Sequence, residues 1–212
     1  MSFPGMNFKE IADVGKKTFE FPKELKSKPM FDKELPVKVN ETESEKVEDT
    51  YFSTYEERLR QVPRGDDERG HWDGVRGESM FIPSDEGIKS LLGGYMKDGV
   101  SYQNAIPDFS FCSACSVKID NMTDSRSSNF PQCDVSCAQK WNDCKFDGRN
   151  DWTARDVKNW RKSNGYSWHE RNDMTTCDLV PTKVNDCFGH LGGVSECRKR
   201  DSMQINGGDF DE

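Results

Sequence analysis

The sequence predicts an α+β fold, and three observations carry that prediction. Apolar residues return every three or four positions over residues 133–144, which is the spacing of one face of a helix. A short apolar run at 177–181 lies between polar turns, as strands do. Helix and strand patterns also alternate through the last third of the chain. We therefore expect one α+β domain with additional flanking helices and an extended N-terminal segment.

The composition separates a folded part of the chain from more polar ends. Hydrophobic residues make up 33% of the 212 residues and charged residues 32%, and the mean hydropathy is −0.90. Such a chain is too polar to pack throughout, yet its 13 Phe, 5 Trp and 5 Tyr are too many for a wholly disordered one. We expect an extended or partly disordered segment or linker at 1–65, a folded domain at 66–205 and a flexible tail at 206–212.

Charge and hydropathy exclude several classes of protein. The net charge of −8 argues against a protein that coats nucleic acid non-specifically, but it leaves room for a nuclease with one basic cleft. No run approaches the roughly 18 apolar residues of a membrane span. The first residues lack the apolar stretch of a signal peptide, so we expect no Sec export and eight reduced cysteines.

The first predicted elements follow the glycine-rich stretch at 70–79. This stretch forms turns that lead into a short strand at 80–83. A helix capped by a serine is expected over 84–92, because two glycines follow it. Residues 102–109 are extended or turn, since Pro107 excludes the interior of a helix.

The last third contains the clearest sequence of elements. A helix is predicted to open at Phe130, with a proline in its first turn. Asp151 is the expected N-cap of a second helix. Strands follow at 166–169 and 177–181, and Thr182 can cap a short helix that leads to the last histidine. The end of the domain thus has the order strand, turn, strand, helix.

Two of the three histidines bracket this strand, turn, strand, helix unit. A hydrolase assisted by a metal needs a few nitrogen or oxygen ligands, an open metal position and a base for the water. His169, Asn185 and His190 can supply the ligands, and Glu170 can activate water. The alternative is that these histidines are ordinary structural or surface residues, which the spacing alone favours.

Four short motifs raise the metal-site interpretation above that alternative. They occur in the order Trp168-His169-Glu170, Leu179-Val180-Pro181, Val184-Asn185 and Phe188-Gly189-His190-Leu191-Gly192-Gly193-Val194. Their order and spacing resemble the WHH-type branch of the HNH/endonuclease VII superfamily, toxin nucleases at the C-terminal ends of bacterial polymorphic toxins. Residues 102–110 and 72–83 are similar to segments that accompany these modules. The resemblance covers roughly residues 70–200.

The resemblance implies a ββα-metal, HNH-like nuclease core at about 165–195. It implies a metal-dependent endonuclease that hydrolyses phosphodiester bonds, with DNA favoured over RNA, and that acts as an antibacterial toxin effector. By this analogy His169, Asn185 and His190 bind the metal and Glu170 is the general base. The chain departs from the family where Glu170 and Asn185 replace histidines, and the roles of His169 and Glu170 could be exchanged.

The same resemblance directs expectations about the metal and the substrate. We expect Mg²⁺ or Mn²⁺ for activity, with Zn²⁺ or Ni²⁺ as alternatives. Residues 149–171 carry a surplus of positive charge inside an acidic chain. We expect Arg155, Arg161, Arg171 and Arg126 to contact the nucleic-acid backbone, although such a charged face is more often simply solvated.

Partners and competing functions complete the expectations. A cognate immunity protein, acidic or matched in shape, is expected to cover the cleft between the histidines. The protein is expected to be made in the bacterial cytoplasm and delivered by a specialised secretion system into the cytoplasm of a target cell. The alternatives are a catalytically inactive nuclease-like module that binds protein, and a structural domain held by zinc. Zinc would use Cys112, Cys115, Cys133 and Cys137, which otherwise pack in the core.

Overall fold

Two antiparallel sheets organise the protein. The computed structural model describes residues 51–65 and 68–206, so most of the predicted N-terminal segment and nearly all of the predicted tail lie outside the described residues. The four-stranded sheet runs in chain order through β1 (Gly70–Trp72), β2 (Met80–Pro83), β3 (Val100–Gln103) and β4 (Ile106–Pro107). The three-stranded sheet has the order β5-β7-β6, with β5 at Cys115–Lys118, β6 at Tyr166–Glu170 and β7 at Thr176–Pro181.

Six α-helices surround these sheets in the described part of the chain. They are α1 (Tyr55–Gln61), α2 (Glu86–Gly93), α3 (Arg126–Asp143), α4 (Ala154–Ser163), α5 (Thr182–Cys187) and α6 (Gly193–Asn206). The predicted α+β class is therefore confirmed, and the order β6, turn, β7, α5 is present. None of the helices in the described ranges has the length and apolar character that crossing a bilayer requires.

The β6–β7 hairpin lies between two hydrophobic cores, and this position explains why every residue of β7 is buried. Leu179 and Trp168 face the core that α3 and α4 form with the three-stranded sheet. Val180 points to the opposite side and packs with Val184 and Phe188 in the core of the four-stranded sheet. Because side chains alternate along a strand, one hairpin joins the two cores.

Helix α1 shows that the folded part begins earlier than the sequence predicts. Residues 51–65 were expected to be extended, but Thr54 and Glu57 form a capping box that starts a helix there. Arg58 in this helix is fully buried and donates to the carbonyl oxygens of Asn104 and Ser53. The polar character of this segment therefore reflects buried hydrogen bonds as well as solvated side chains.

Helix starts also differ from the prediction, and one helix was not predicted. Helix α3 begins at Arg126 and contains Pro131 within it, so the proline does not mark its first turn. Helix α4 is capped by Thr153, which accepts from the backbone N–H of Asp156, and Asp151 lies outside the cap. Helix α6 was not predicted individually, because its sequence lacks a clear apolar stripe.

Candidate active site

A cleft of about 590 Å³ opens beside the end of β6, which is an edge strand in its sheet. Its walls come from the last residues of β6, the beginning of α3, helix α5, and the loop that leads into the first turn of α6. The lining residues are Asp124, Arg126, His169, Glu170, Asn185, Asp186, Gly189, His190, Gly192, Gly193, Val194, Ser195 and Arg198. All four residues that the sequence predicts as ligands or base therefore meet in one cleft.

His169 and His190 form the centre of this cleft. Their ring centroids are 4.8 Å apart, and Phe109 packs edge-on against both rings. Burial, and then the neighbouring His190, lower the pKa of His169 to about 3. Burial also lowers the pKa of His190. Both imidazoles are consequently neutral near pH 7, which is the form that binds a metal.

The orientation of His190 leaves one ring nitrogen available. Its Nδ1 lies 2.7 Å from the carbonyl oxygen of Phe188, and in the neutral ring this nitrogen carries the proton and donates it. The Nε2 atom is then the unprotonated one. A backbone carbonyl that fixes the tautomer in this way is the usual partner of a histidine that binds a metal.

Asn185 completes the set of candidate ligands. It lies on α5 and lines the same cleft as His169 and His190. The Oδ1 atom of Asn185 is buried without a hydrogen-bond partner. A buried amide oxygen without a partner is costly, so a cation beside it would relieve an unfavourable contact. Within the described residues, no three His, Cys, Asp or Glu side chains form a metal-binding group, so a metal here needs the Asn185 oxygen.

Glu170 occupies a different environment although it adjoins His169. Its side chain is only 4% exposed, and its Oε2 atom is 3.8 Å from the Nε of Arg126. Burial raises the pKa of the Glu170 carboxyl, while a hydrogen bond from Asn129 and the charge of Arg126 oppose that rise. A raised pKa makes this carboxylate a better proton acceptor than an ordinary glutamate.

Asn129 holds the Glu170 carboxylate in place. Its Oδ1 accepts from the backbone N–H of Thr123 at 3.0 Å, which settles the orientation of the amide. Its Nδ2 therefore donates both to the carbonyl oxygen of Thr123 and, at 3.3 Å, to Oε1 of Glu170. Asn129 is fully buried inside α3 and contacts the candidate base.

Glycines in the Phe188–Val194 motif allow backbone segments to pack closely at the wall of the cleft. A Cβ at Gly192 would lie 2.8 Å from the carbonyl oxygen of Glu170. A Cβ at Gly189 would lie 2.5 Å from the carbonyl oxygen of Gln61 at the end of α1. Only residues without a side chain fit these approaches. The motif thus brings His190 and the start of α6 against the end of β6.

The four arginines that were predicted to contact nucleic acid lie in different environments. Arg126 lines the cleft, with a side chain that is 66% exposed. Arg155 is exposed on α4 but does not line the cleft. Arg171 is bound to Asp178 and lines a second cavity. Of the four predicted arginines, only Arg126 reaches the candidate active site.

Arg161 has a structural position instead of the predicted substrate contact. Its side chain is buried and makes a two-point ion pair with Asp134, with N···O distances of 2.9 and 3.2 Å. Trp168 donates its indole N–H to the same carboxylate at 2.9 Å. This network ties α4 and α3 to β6, because each partner comes from a different element.

Sequence reasoning missed Arg198, which also lines the cleft. Its side chain is 65% exposed and lies 3.5 Å from Asp124. The first turn of α6 faces the cleft at the same place, through Gly193 and Ser195. The pair of glycines at the start of α6 was the only sequence signal for this helix. Its mostly polar residues give no clear apolar pattern that would identify it.

The cysteines support core packing rather than the predicted alternative of a zinc site. Cys115 hydrogen-bonds with Cys137 in the core of the three-stranded sheet, and Cys133 with Cys177. Cys112 belongs to the other core, so the four predicted thiolates do not converge. No metal-binding group of cysteines occurs among residues 51–65 and 68–206.

Comparison with known families adds a second line of support. Residues 99–192 match the family described as the DNase/tRNase domain of colicin-like bacteriocin. The matched range covers less than half of the chain, but it contains His169, Glu170, Asn185 and His190. No curated protein matches the chain. The similarity supports a nuclease domain of the toxin kind, and α1, β1, β2, α2 and α6 lie outside it.

Proposed function

We propose that this protein is a metal-dependent endonuclease of the HNH type, close to its WHH branch, with a ββα-metal core formed by β6, β7 and α5. It hydrolyses phosphodiester bonds, with DNA favoured over RNA, and acts as an antibacterial toxin effector. The observation that carries the proposal is the buried Oδ1 of Asn185, which has no hydrogen-bond partner beside two neutral imidazoles. The similarity of residues 99–192 to a DNase/tRNase domain supports the same reaction class.

The donor set suits a divalent metal ion. His169, Asn185 and His190 would hold it, because two neutral imidazoles and an amide oxygen form a borderline site that accepts several divalent ions. When bound, such an ion supplies positive charge to a phosphate oxygen and acidifies water. We favour Mg²⁺ or Mn²⁺ for activity, since hard ions suit phosphate oxygens, with Zn²⁺ and Ni²⁺ as alternatives.

Other residues in and beside the cleft have distinct roles in the proposed reaction. Glu170 accepts the proton of the attacking water, and its buried position favours this role. Asn129 and Arg126 hold the carboxylate in one orientation. The exposed guanidinium groups of Arg126 and Arg198, with the N-terminal turn of α6, supply positive charge where a phosphate enters.

A nuclease that acts as a toxin needs to be inhibited in the cell that makes it and delivered to the target cell. A cell that makes such a nuclease needs a cognate immunity protein, acidic or matched in shape, that covers the cleft near Arg126 and Arg198. We propose that the protein is made in the bacterial cytoplasm and delivered by a specialised secretion system into the cytoplasm of a target cell. Neutralisation by a co-expressed protein, without crosslinks to the cleft, would contradict this account of restraint.

Plasmid nicking tests the proposed activity directly. The protein is incubated with supercoiled plasmid or with RNA in Mg²⁺ or Mn²⁺, beside the variants His169→Ala and His190→Ala. We expect nicking that both variants lose, together with binding of Mn²⁺ measured by calorimetry. His71→Ala is the matched control, because this third histidine is exposed on β1 and lies outside the cleft. Absence of nicking in every metal would favour the alternative of an inactive module that binds protein.

A further inference from the structure

A second cavity, of about 830 Å³, lies beside the candidate active site. Its walls come from the turn between β3 and β4, the turn between β6 and β7, and Tyr51 near the start of the described chain. His169 lines both cavities, so its ring forms part of the wall between them. The nuclease chemistry proposed above uses none of the other residues that line this cavity.

Negative charge dominates the lining of the second cavity. Four carboxylates contribute to it, those of Glu78, Asp108, Asp173 and Asp178. Arg171 is the cation of this lining, and it is already bound to Asp178. The carboxylates of Glu78 and Asp108 accept from backbone N–H groups, which fix their positions without neutralising their charge. The cavity therefore attracts cations and repels phosphate groups.

Two buried oxygen atoms in the same lining have no hydrogen-bond partner. They are Oδ1 of Asp178, on a residue that is 1% exposed, and Oδ1 of Asn172, on a residue that is 3% exposed. Both residues line the cavity. A buried oxygen without a partner costs free energy that a bound hydrogen-bond donor would recover. These two oxygens thus lack donors in a lining whose charge is mainly negative.

The arrangement of the acceptors selects the kind of cation. Among the described residues, no three carboxylate, imidazole or thiolate groups lie close enough together to hold a metal ion. Separated acceptors suit a cation whose N–H donors point in different directions, such as a guanidinium or a primary ammonium group.

We propose that this cavity binds an organic cation, a guanidinium or primary ammonium group, through Asp108, Glu78 and the unpartnered oxygens of Asp178 and Asn172. The group belongs either to a small molecule or to an arginine or lysine side chain of a protein. The cavity adjoins the candidate active site through His169, but its lining has four carboxylates and one arginine that is already paired. Its ligand is therefore distinct from the nucleic acid.

Calorimetric titration of the full chain tests this proposal. The probes are agmatine, as a small guanidinium compound, and acetyl-Gly-Arg-Gly-amide, as an arginine in a peptide. We expect saturable binding of at least one probe, weakened by added salt. Asp108→Asn keeps the oxygen that accepts from Ser110 but removes a charge. We expect this variant to bind about tenfold more weakly, the loss that about 1.4 kcal/mol of a charge-assisted hydrogen bond produces.

A matched control and three contrary results make the test decisive. Asp120→Asn removes an exposed carboxylate outside both cavities, and we expect unchanged binding. Preference for agmatine indicates a small ligand, whereas preference for the peptide indicates a protein side chain. The proposal fails if neither probe binds, or if the Asp108 and Asp120 variants bind equally well. It also fails if Ca²⁺ binds in the cavity and excludes both probes. None of these binding measurements depends on nuclease activity.

Discussion

The two cavities share His169 but differ in their candidate metal ligands and in the exposure of their arginines. In the cleft, Arg126 and Arg198 extend exposed guanidinium groups beside neutral imidazoles. In the second cavity, carboxylates outnumber the cations of the lining, and the arginine there is already paired. Three carboxylates, Asp124, Glu170 and Asp186, also line the cleft, so attraction of phosphate there depends on the two exposed arginines together with the proposed metal ion. A strongly acidic chain can therefore carry a site for nucleic acid, because the charge that matters is local.

The register of the β6–β7 hairpin produces this difference. His169 lies directly opposite Asp178, and Arg171, which follows the end of β6, pairs with the same Asp178. Glu170 points to the other face, toward Asn129 on α3. A shift of one residue would exchange these faces and separate the base from its partners. Adjacent residues of one strand therefore serve different environments.

Glu170→Gln should produce the largest effect on the cleft. We expect cleavage to fall by roughly two to four orders of magnitude, the usual cost of a lost general base, because glutamine cannot accept the proton. Binding of Mn²⁺ should stay within about twofold of wild type, since the proposed ligands remain. Single-turnover nicking and calorimetry measure the two quantities. Normal cleavage by this variant, with metal binding retained in His169→Ala, would exchange the roles of His169 and Glu170.

Arg161→Met should show that one predicted substrate contact is structural. The change leaves Asp134 buried without its cation, so we expect a loss of about 3–5 kcal/mol in the free energy of unfolding. Arg155→Met is the matched control on the exposed face of α4, with an expected change within about 0.5 kcal/mol. Urea unfolding measures both. Equal stability of the two variants would contradict the structural role of Arg161.

Some features of the fold and of the candidate site could be predicted from the sequence, and others could not. The β6–β7 hairpin and α5 were predictable, because apolar runs and turn residues are local signals. The burial of Arg161 was not, since it depends on Asp134, 27 residues away in another helix. Arg198 was missed for a related reason: its helix has little apolar periodicity, and only tertiary packing brings it to the cleft.

Asn129→Leu tests how far the cleft depends on a residue that contacts the candidate base but none of the proposed metal ligands. Leucine has a similar size but cannot donate to Glu170, so we expect cleavage to fall by about 10- to 100-fold. Binding of Mn²⁺ should remain unchanged, because Asn129 does not contact the proposed ligands. Asn121→Ala, at an exposed position near the start of α3, serves as the control. Parallel loss of metal binding and cleavage would instead indicate general disruption of the cleft.

Asp173→Asn should produce the smallest effect, and it concerns the acidic cavity. Partial burial raises the pKa of the Asp173 carboxyl. Hydrogen bonds from the Thr176 hydroxyl and from the backbone N–H groups of Thr176 and Thr175 outweigh burial and lower that pKa overall. A lowered pKa means that the ionised carboxylate stabilises the fold above its unfolded pKa of about 3.9. This stabilisation disappears as the pH falls through the lower, folded pKa.

The stability difference between wild type and Asp173→Asn should therefore be largest near neutral pH and shrink in acid. We expect less than about 1 kcal/mol at pH 7, because water screens a carboxylate that is exposed at a turn. Urea unfolding at pH 7, 5 and 2.5 measures this difference, with Asp120→Asn as the control. A difference that grows on acidification would mean that the Asp173 carboxyl is protonated more easily in the folded chain. The repulsion between the carboxylates of the cavity would then outweigh the hydrogen bonds of the turn.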